Sequence, residues 1–373
     1  MLKSLILYLS IIFVEVFLSK LLKYNNEKND SSFGWKLKKL FIIFIMALIP
    51  SILAGLRYGI GTDYFSYERI YNNYISMPNF NFYVYNGLSI EIGFFILVKI
   101  SKIIFNSYSG FLFLSAFVTY FFAILSINRY GKYRYFGVMI FIYFILLYAP
   151  SFNIVRQMVS VSIIIYGFKY IENKSFFKYL LIVLLALSFH TSALFCLSFY
   201  FLNINSTNFS KTKKTIIIIL AITIPFIFDY LFNVLSKMLI FSKYIMVYEN
   251  IVGYSYRYSA IIIRIPIIIA ILLFRKRLIL HDKNNQLYLL IYLLEFTCVL
   301  LSFHMKWAVR FIYYCMISEI ILVPQIISIV KGKNKLFTLF YFGLYYILYF
   351  IIVFGLWKND GIIPYQITNL GGY

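Results

Sequence analysis

The sequence predicts an all-α, polytopic integral membrane protein, and three observations carry that prediction. Apolar runs of about twenty residues, the reach of a bilayer-spanning helix, recur along the whole chain. Hydrophobic residues make up 62% and charged residues only 13% of the 373 positions, too few polar groups to coat a soluble core of that size. The runs do not alternate as barrel strands do, and inside lipid only helices or closed barrels satisfy their own backbone groups.

The first apolar run, Ser4 to Leu22, is followed by no small-residue cleavage pattern and reads as a retained span. Basic residues then mark the loops: Lys20 to Lys39, Arg129 to Arg134, Lys174 to Lys178, Lys211 to Lys214, Arg275 to Lys283 and Lys331 to Lys335. Cytoplasmic loops are enriched in lysine and arginine. Placing all six inside assigns loop 57–91, Ser151 to Arg156, loop 236–260, His304 to Arg310 and the tail after Leu356 to the outer side. Both termini are then outside. The net charge of +22 has its explanation in these loops, so nucleic acid is not an expected partner.

Two stretches depart from simple crossings. Ile92 to Phe105 carries Lys99, Lys102 and Asn106 at helical spacing, the pattern of a helix lying in the outer interface. Tyr179 to Leu202 is interrupted by Ser188-Phe189-His190-Thr191-Ser192, which predicts a broken pair of half-length helices. The alternative is one full span with a misassigned loop. The expected total is about ten full spans in a single transmembrane domain covering 1–373, with no soluble domain and no internal repeat.

Against this apolar background a few polar groups need a reason. Leu56-Arg57-Tyr58-Gly59-Ile60-Gly61-Thr62-Asp63-Tyr64-Phe65-Ser66-Tyr67 concentrates arginine, glycine, aspartate and tyrosine at a membrane surface. Glycines permit tight bends or close approach to a ligand. Asp63 reads either as a helix N-cap or as a group facing a ligand. Glu91 begins the interfacial run, where a carboxylate complements the helix dipole. Arg156 and Gln157 open the span after Pro150; Arg156 reads as snorkelling to headgroups or as facing the bundle. His190 and Arg264 lie within apolar sequence, where ionisable groups are rare and are functional candidates. Arg310 and Tyr314 share a helical face behind His304, Lys306 and Trp307. The tail carries Trp357, Asp360, Pro364 and Tyr365, which also fit an interfacial aromatic belt. Cys196, Cys298 and Cys315 read as small hydrophobes, and no metal-ligand spacing or nucleotide-binding motif is present. Neither cofactor nor metal is therefore expected. Arginines converging outside with few carboxylates point to an anion of several charges, for which guanidinium forks suit phosphate oxygens.

In their order along the chain, Arg57-Tyr58-Gly59-Ile60-Gly61-Thr62-Asp63-Tyr64, Glu91-Ile92-Gly93-Phe94, Val155-Arg156-Gln157, Phe189-His190-Thr191-Ser192-Ala193, Arg310-Phe311-Ile312-Tyr313-Tyr314 and Ile363-Pro364-Tyr365 resemble the EpsG family of Wzy-type polysaccharide polymerases. The resemblance implies a glycosyltransferase in the bacterial cytoplasmic membrane, acting on its outer face. It implies substrates carried on undecaprenyl diphosphate, and partnership with membrane lipid, a flippase and a chain-length regulator of the same pathway. The expected chemistry is metal-independent transfer. Asp63 and His190 are the candidate bases. Arg57, Arg156, Gln157, Arg264, Arg310, Tyr67, Glu91, Tyr314 and Tyr365 are the candidate ligands of sugar and pyrophosphate.

Three other readings compete. An O-antigen ligase usually carries a larger outer loop than this chain offers. A transporter of lipid-linked oligosaccharide is expected to show polar spans and often repeated halves. An intramembrane O-acyltransferase would use His190 and leave the arginines unexplained.

Overall fold

The apolar runs fold as helices in the computed structural model, which describes residues 1–27, 33–77, 91–130, 135–203, 258–303 and 308–367. In chain order these are α1 (Leu2–Glu27), α2 (Phe33–Leu56), α3 (Tyr64–Ser76), α4 (Ile92–Phe105), α5 (Tyr108–Asn128), α6 (Phe136–Asn153), α7 (Val155–Glu172) and α8 (Phe176–Leu187). A 3₁₀ turn (Thr191–Cys196) leads into α9 (Leu197–Leu202). Then come α10 (Ser259–Ile262), α11 (Ile265–His281), α12 (Asn285–Leu301), α13 (Val309–Cys315), α14 (Ile317–Ile329) and α15 (Lys333–Phe350). The last helix runs on through a π turn, Ile351–Leu356.

Five of these helices are long and apolar enough to cross a membrane, and α13 with α14, bent by 40° between them, makes a sixth candidate. The chain is thus a multi-pass membrane protein, with five or six spans among the described residues against the expected ten or so. Much of loop 57–91 is helix α3; residues 78–90 of that loop and 236–257 of the other expected outer loop lie outside the described residues. The expected break at Ser188 to His190 is present, between α8 and the 3₁₀ turn.

The structure divides into two units. One comprises Met1–Leu197 with Val330–Tyr373 and the other Ser198–Ile329. In the first, α6 is buried along nearly every face, as a helix hydrophobic all round must be. Helix α1 packs on it through the stripe Tyr8, Ile12, Glu15, Ser19 and Leu22. Helix α5 lies between α2 and α7.

Helix α3 is amphipathic. Tyr64, Tyr67, Tyr71 and Tyr74 recur at helical spacing and pack on Phe94, Phe95, Val98, Phe111 and Leu112. The amines of Lys99 and Lys102 donate to carbonyls of Ile75 and Met77 at its C-terminal end. Terminal carbonyls lack intrahelical donors, and lysine supplies them. These lysines thus have a role the sequence did not reveal, in tying α4 to α3. In the second unit, α14 packs against α11 and α12, and α12 against α13.

Candidate active site

Segment 57–63 does not stand alone. It runs antiparallel to the tail, with Arg57 bridged to Ile367, Tyr58 N donating to Gln366 O at 3.0 Å and Gly61 N to Gly361 O at 3.2 Å. Gly59 and Gly61 adopt φ of +64° and +94°, which glycine reaches without steric cost. At Gly61 a Cβ would also lie 2.5 Å from the Phe152 carbonyl oxygen, so the chain needs glycine there for two separate reasons. The two strand-like segments form a ribbon over the ends of α2 and α6.

Arg57, immediately after α2, is 2% exposed. Its guanidinium lies over the Phe152 ring, 4.7 Å from the centroid, within cation–π range. The groups acting on its charge are the phenols of Tyr108, Tyr120, Tyr8 and Tyr64, joined by Tyr365. Several of these hydroxyls donate elsewhere: Tyr108 to Tyr64 O at 2.7 Å, Tyr8 to Ile362 O at 2.9 Å and Tyr365 to Leu53 O at 2.7 Å. Among the described residues, Nε and Nη1 of Arg57 have no hydrogen-bond partner. Burial lowers its pKa, yet an arginine stays charged in a protein. Burial pushes the Tyr365 phenol up to about 12, with Arg57 pulling the other way.

The break between α6 and α7 organises everything around this arginine. Pro150 has no N–H and clashes with the carbonyl one turn back, and α6 ends three residues later at Asn153. Ile154, with ψ 57°, turns the chain before α7 starts at Val155. Phe152 covers Arg57. Asn153 Oδ1 accepts from Thr62 Oγ1 at 2.6 Å and from the Asp63 backbone N–H at 3.0 Å, while its Nδ2 donates to Asp360 Oδ1 at 3.1 Å. One buried amide thereby holds both edges of the ribbon. Asp63 does sit at the N-cap of α3, but its side chain makes no capping hydrogen bond; its carboxylate lies near Asp360 and Tyr67.

Arg156, in the first turn of α7, meets Glu91 at 2.8 Å and hydrogen-bonds Tyr67, with its guanidinium 5.6 Å from the Phe94 ring centroid. Gln157 beside it is buried. Glu91 occupies the N-cap of α4 without capping it. Its second oxygen accepts from Thr191 N at 3.1 Å, so it serves the neighbouring 3₁₀ turn. Gly93 permits this contact: its N–H donates to Ser188 O at 2.7 Å, and a Cβ would lie 2.4 Å from Ser188 Oγ. His190 is buried, and its Nδ1 accepts from Ser192 N at 3.2 Å and meets Ser192 Oγ at 2.7 Å. An accepting Nδ1 puts the proton of a neutral ring on Nε2.

The remaining candidates belong to the second unit. Arg264 is buried, with Nη1 donating to Ala260 O at 3.0 Å and Nε 3.5 Å from Glu295. Tyr314 is buried on α13 and Arg310, one turn earlier, is partly exposed. Residues 304–307 lie outside the described residues. So the first unit brings together Arg57, Asp63, Tyr67, Glu91, Arg156, Gln157, His190 and Tyr365. Arg156 and Arg264 each have a carboxylate partner, a pairing the scarcity of acidic residues in the sequence had argued against. Sequence reasoning passed over Asn153, Phe152 and the ribbon role of Asp360. An asparagine shortly after Pro150 in an otherwise apolar run was the available signal.

The sequence profile of the EpsG family matches residues 40–367. The chain belongs to the EpsG family. EpsG-type proteins are Wzy-like polysaccharide polymerases, so this chain is grouped with membrane polysaccharide polymerases of glycosyltransferase-like chemistry. No curated protein and no solved structure matches it. The EpsG match runs from within α2 to Ile367, the residue that pairs with Arg57, and so takes in both edges of the ribbon.

Proposed function

We propose that this EpsG-family chain joins oligosaccharide repeat units carried on undecaprenyl diphosphate, at the outer face of the bacterial cytoplasmic membrane and without a metal ion. The observation that carries this reading is Arg57, a buried guanidinium with two unpartnered donors among the described residues. Buried polar groups are nearly always satisfied, and an exception calls for a partner. Guanidinium N–H pairs match diphosphate oxygens in geometry and charge.

In the transfer, a sugar hydroxyl attacks an anomeric carbon and lipid diphosphate leaves. The leaving group has low proton affinity and needs positive charge where negative charge develops, which is often the largest catalytic contribution. Arg57 supplies that charge under an aromatic roof. Arg156 is already neutralised by Glu91 and acts by holding Tyr67 and the 190–192 turn in place. Asp63 and His190 are the bases named from sequence, and Asp63 lies on the same ribbon as Arg57. Outer-face action follows from the charge of the basic loops, as does the placement of both termini outside. A flippase and a chain-length regulator complete the pathway that this reading requires.

The test is direct. Full-length protein in lipid nanodiscs, given only lipid-diphosphate-linked repeat units, is expected to produce a ladder of lengthening glycans. Arg57→Gln is expected to leave single units and to bind lipid diphosphate more weakly. A wild-type chain that builds no ladder from these units, yet transfers glycan to an added lipid or protein acceptor, would identify a ligase and overturn the proposal.

A further inference from the structure

The ribbon holds a second carboxyl group that the sequence reading did not assign. Asp360 lies in the short 3₁₀ turn Asn359–Gly361, at φ 62°, and is 6% exposed. Its Oδ1 accepts from Asn153 Nδ2 at 3.1 Å. Among the described residues no donor reaches its Oδ2. Asn153 simultaneously binds the Thr62–Asp63 turn, so the buried Asp360 and the exposed Asp63 are set side by side. Buried Arg57, whose Nε and Nη1 have no hydrogen-bond partner among the described residues, lies on the same ribbon. The ribbon therefore presents a cation for a departing diphosphate and a carboxylate with a free oxygen.

Resting on the polymerase reading above, we propose that Asp360 is the proton acceptor for the attacking sugar hydroxyl, with Asn153 as its positioning residue and Asp63 as the outlet for the proton. The hydroxyl O–H bond breaks and its proton passes to Asp360 Oδ2. The hydroxyl oxygen bonds to the anomeric carbon of the donor glycan. The bond from that carbon to the diphosphate oxygen breaks, and its electron pair leaves with the diphosphate, whose charge Arg57 meets. The proton then returns to water past the exposed Asp63.

The electrostatics suit the role. Burial raises the Asp360 carboxyl to about 6, Asn153 opposes the rise and Asp63 adds to it. A base with a pKa near the working pH combines adequate basicity with a large deprotonated fraction. Asp63 across the ribbon is the charged group acting on Asp360; Lys358 stands at the N-cap of the same turn, and α1 contributes the phenol of Tyr8, which donates to Ile362 O. His190 lies on the 3₁₀ turn beyond Glu91, and its Nδ1 is occupied by Ser192.

A pH–rate profile of single-turnover transfer by the full chain in nanodiscs tests the assignment. A carboxylate base works deprotonated, so the wild-type rate is expected to fall as pH drops through about 6. Asp360→Asn is expected to slow transfer by about 100-fold or more and lose that acid limb, with binding of lipid diphosphate retained and Asp360→Glu partly restoring the rate. Asn153→Ala removes the donor that lowers the Asp360 pKa and is expected to move the limb to higher pH, which tests the idea even if Asp360→Asn does not fold. Wild-type product with an undiminished rate in Asp360→Asn, or an unmoved limb in Asn153→Ala, overturns the assignment alone. Loss of the limb in Asp63→Asn with its retention in Asp360→Asn makes Asp63 the base and also overturns it. No product from the wild-type chain at any pH overturns the polymerase reading, and this assignment with it.

Discussion

Arg57 and Arg156 sit on either side of the same helix break, and their burial is resolved in opposite ways. Arg156 has Glu91 at 2.8 Å, the Tyr67 hydroxyl and the Phe94 ring. Arg57 is more deeply buried and has the Phe152 ring and a ring of phenols, with Nε and Nη1 unpartnered among the described residues. A desolvated charge is tolerable when it is paired and hydrogen-bonded. Arg156, although its Nε also has no hydrogen-bond partner among the described residues, has its charge paired and joins α7 to α4 and the 3₁₀ turn. Arg57 is held in place by packing, against its own electrostatic preference, as expected of a group kept ready for an anion. The same residue type is paired with a carboxylate at one site and lacks one at the other, and on the proposed function that difference separates a structural arginine from a charge-binding one.

The comparison can be broken most decisively at Arg57. Arg57→Met is expected to lower the transfer rate by about 100- to 1,000-fold, the usual effect of losing a donor to developing charge. It is also expected to raise the thermal unfolding temperature in detergent, because an unpaired buried charge is replaced by an apolar chain. A fall in both activity and unfolding temperature would mean that Arg57 is structural. Arg156→Ala is expected to behave oppositely in stability, losing about 3 kcal/mol as Glu91 is left buried without its partner. Combined with Glu91→Ala, much of that loss is expected to return, and chemical denaturation of the four proteins in the cycle measures the coupling; additive losses would dissolve the contrast. The smallest effect is expected at Gly61→Ala. Its φ of +94° and the Phe152 carbonyl 2.5 Å away from a Cβ predict a loss of about 2 kcal/mol in the same assay, and a partial loss of transfer as the ribbon shifts.

Much of this was legible in the sequence. The polar motifs stood out because ionisable and glycine-rich segments are expensive in apolar surroundings. Residue 57 through residue 67, Glu91, Arg156 and His190 were singled out on that ground, and the structure places them in one unit. Other features were hidden by their ordinariness. Asn153 is one amide in a long apolar run, and nothing local says that it contacts Thr62, Asp63 and Asp360 at once. Glu91 looked like a helix cap because it stands where a cap stands, but its carboxylate reaches Arg156 and Thr191 instead. Lys99 and Lys102 looked like the polar face of an interfacial helix, and they cap the helix beside them. Glu295 was passed over, and it is the partner of Arg264.

The division has a physical basis. Helix formation and membrane insertion depend on short-range hydrogen bonds and on the polarity of about twenty consecutive residues. The sequence by itself therefore determined the helical class, the membrane setting and the motifs that mark the EpsG family. Pairing a buried charge depends on which side chains meet after the helices pack, often from positions far apart in the chain. Arg57 beside Ile367, Asn153 between Asp63 and Asp360, and Glu91 on Arg156 are all contacts of that kind. Only the tertiary structure could decide which arginine meets a carboxylate and which is buried among aromatic rings.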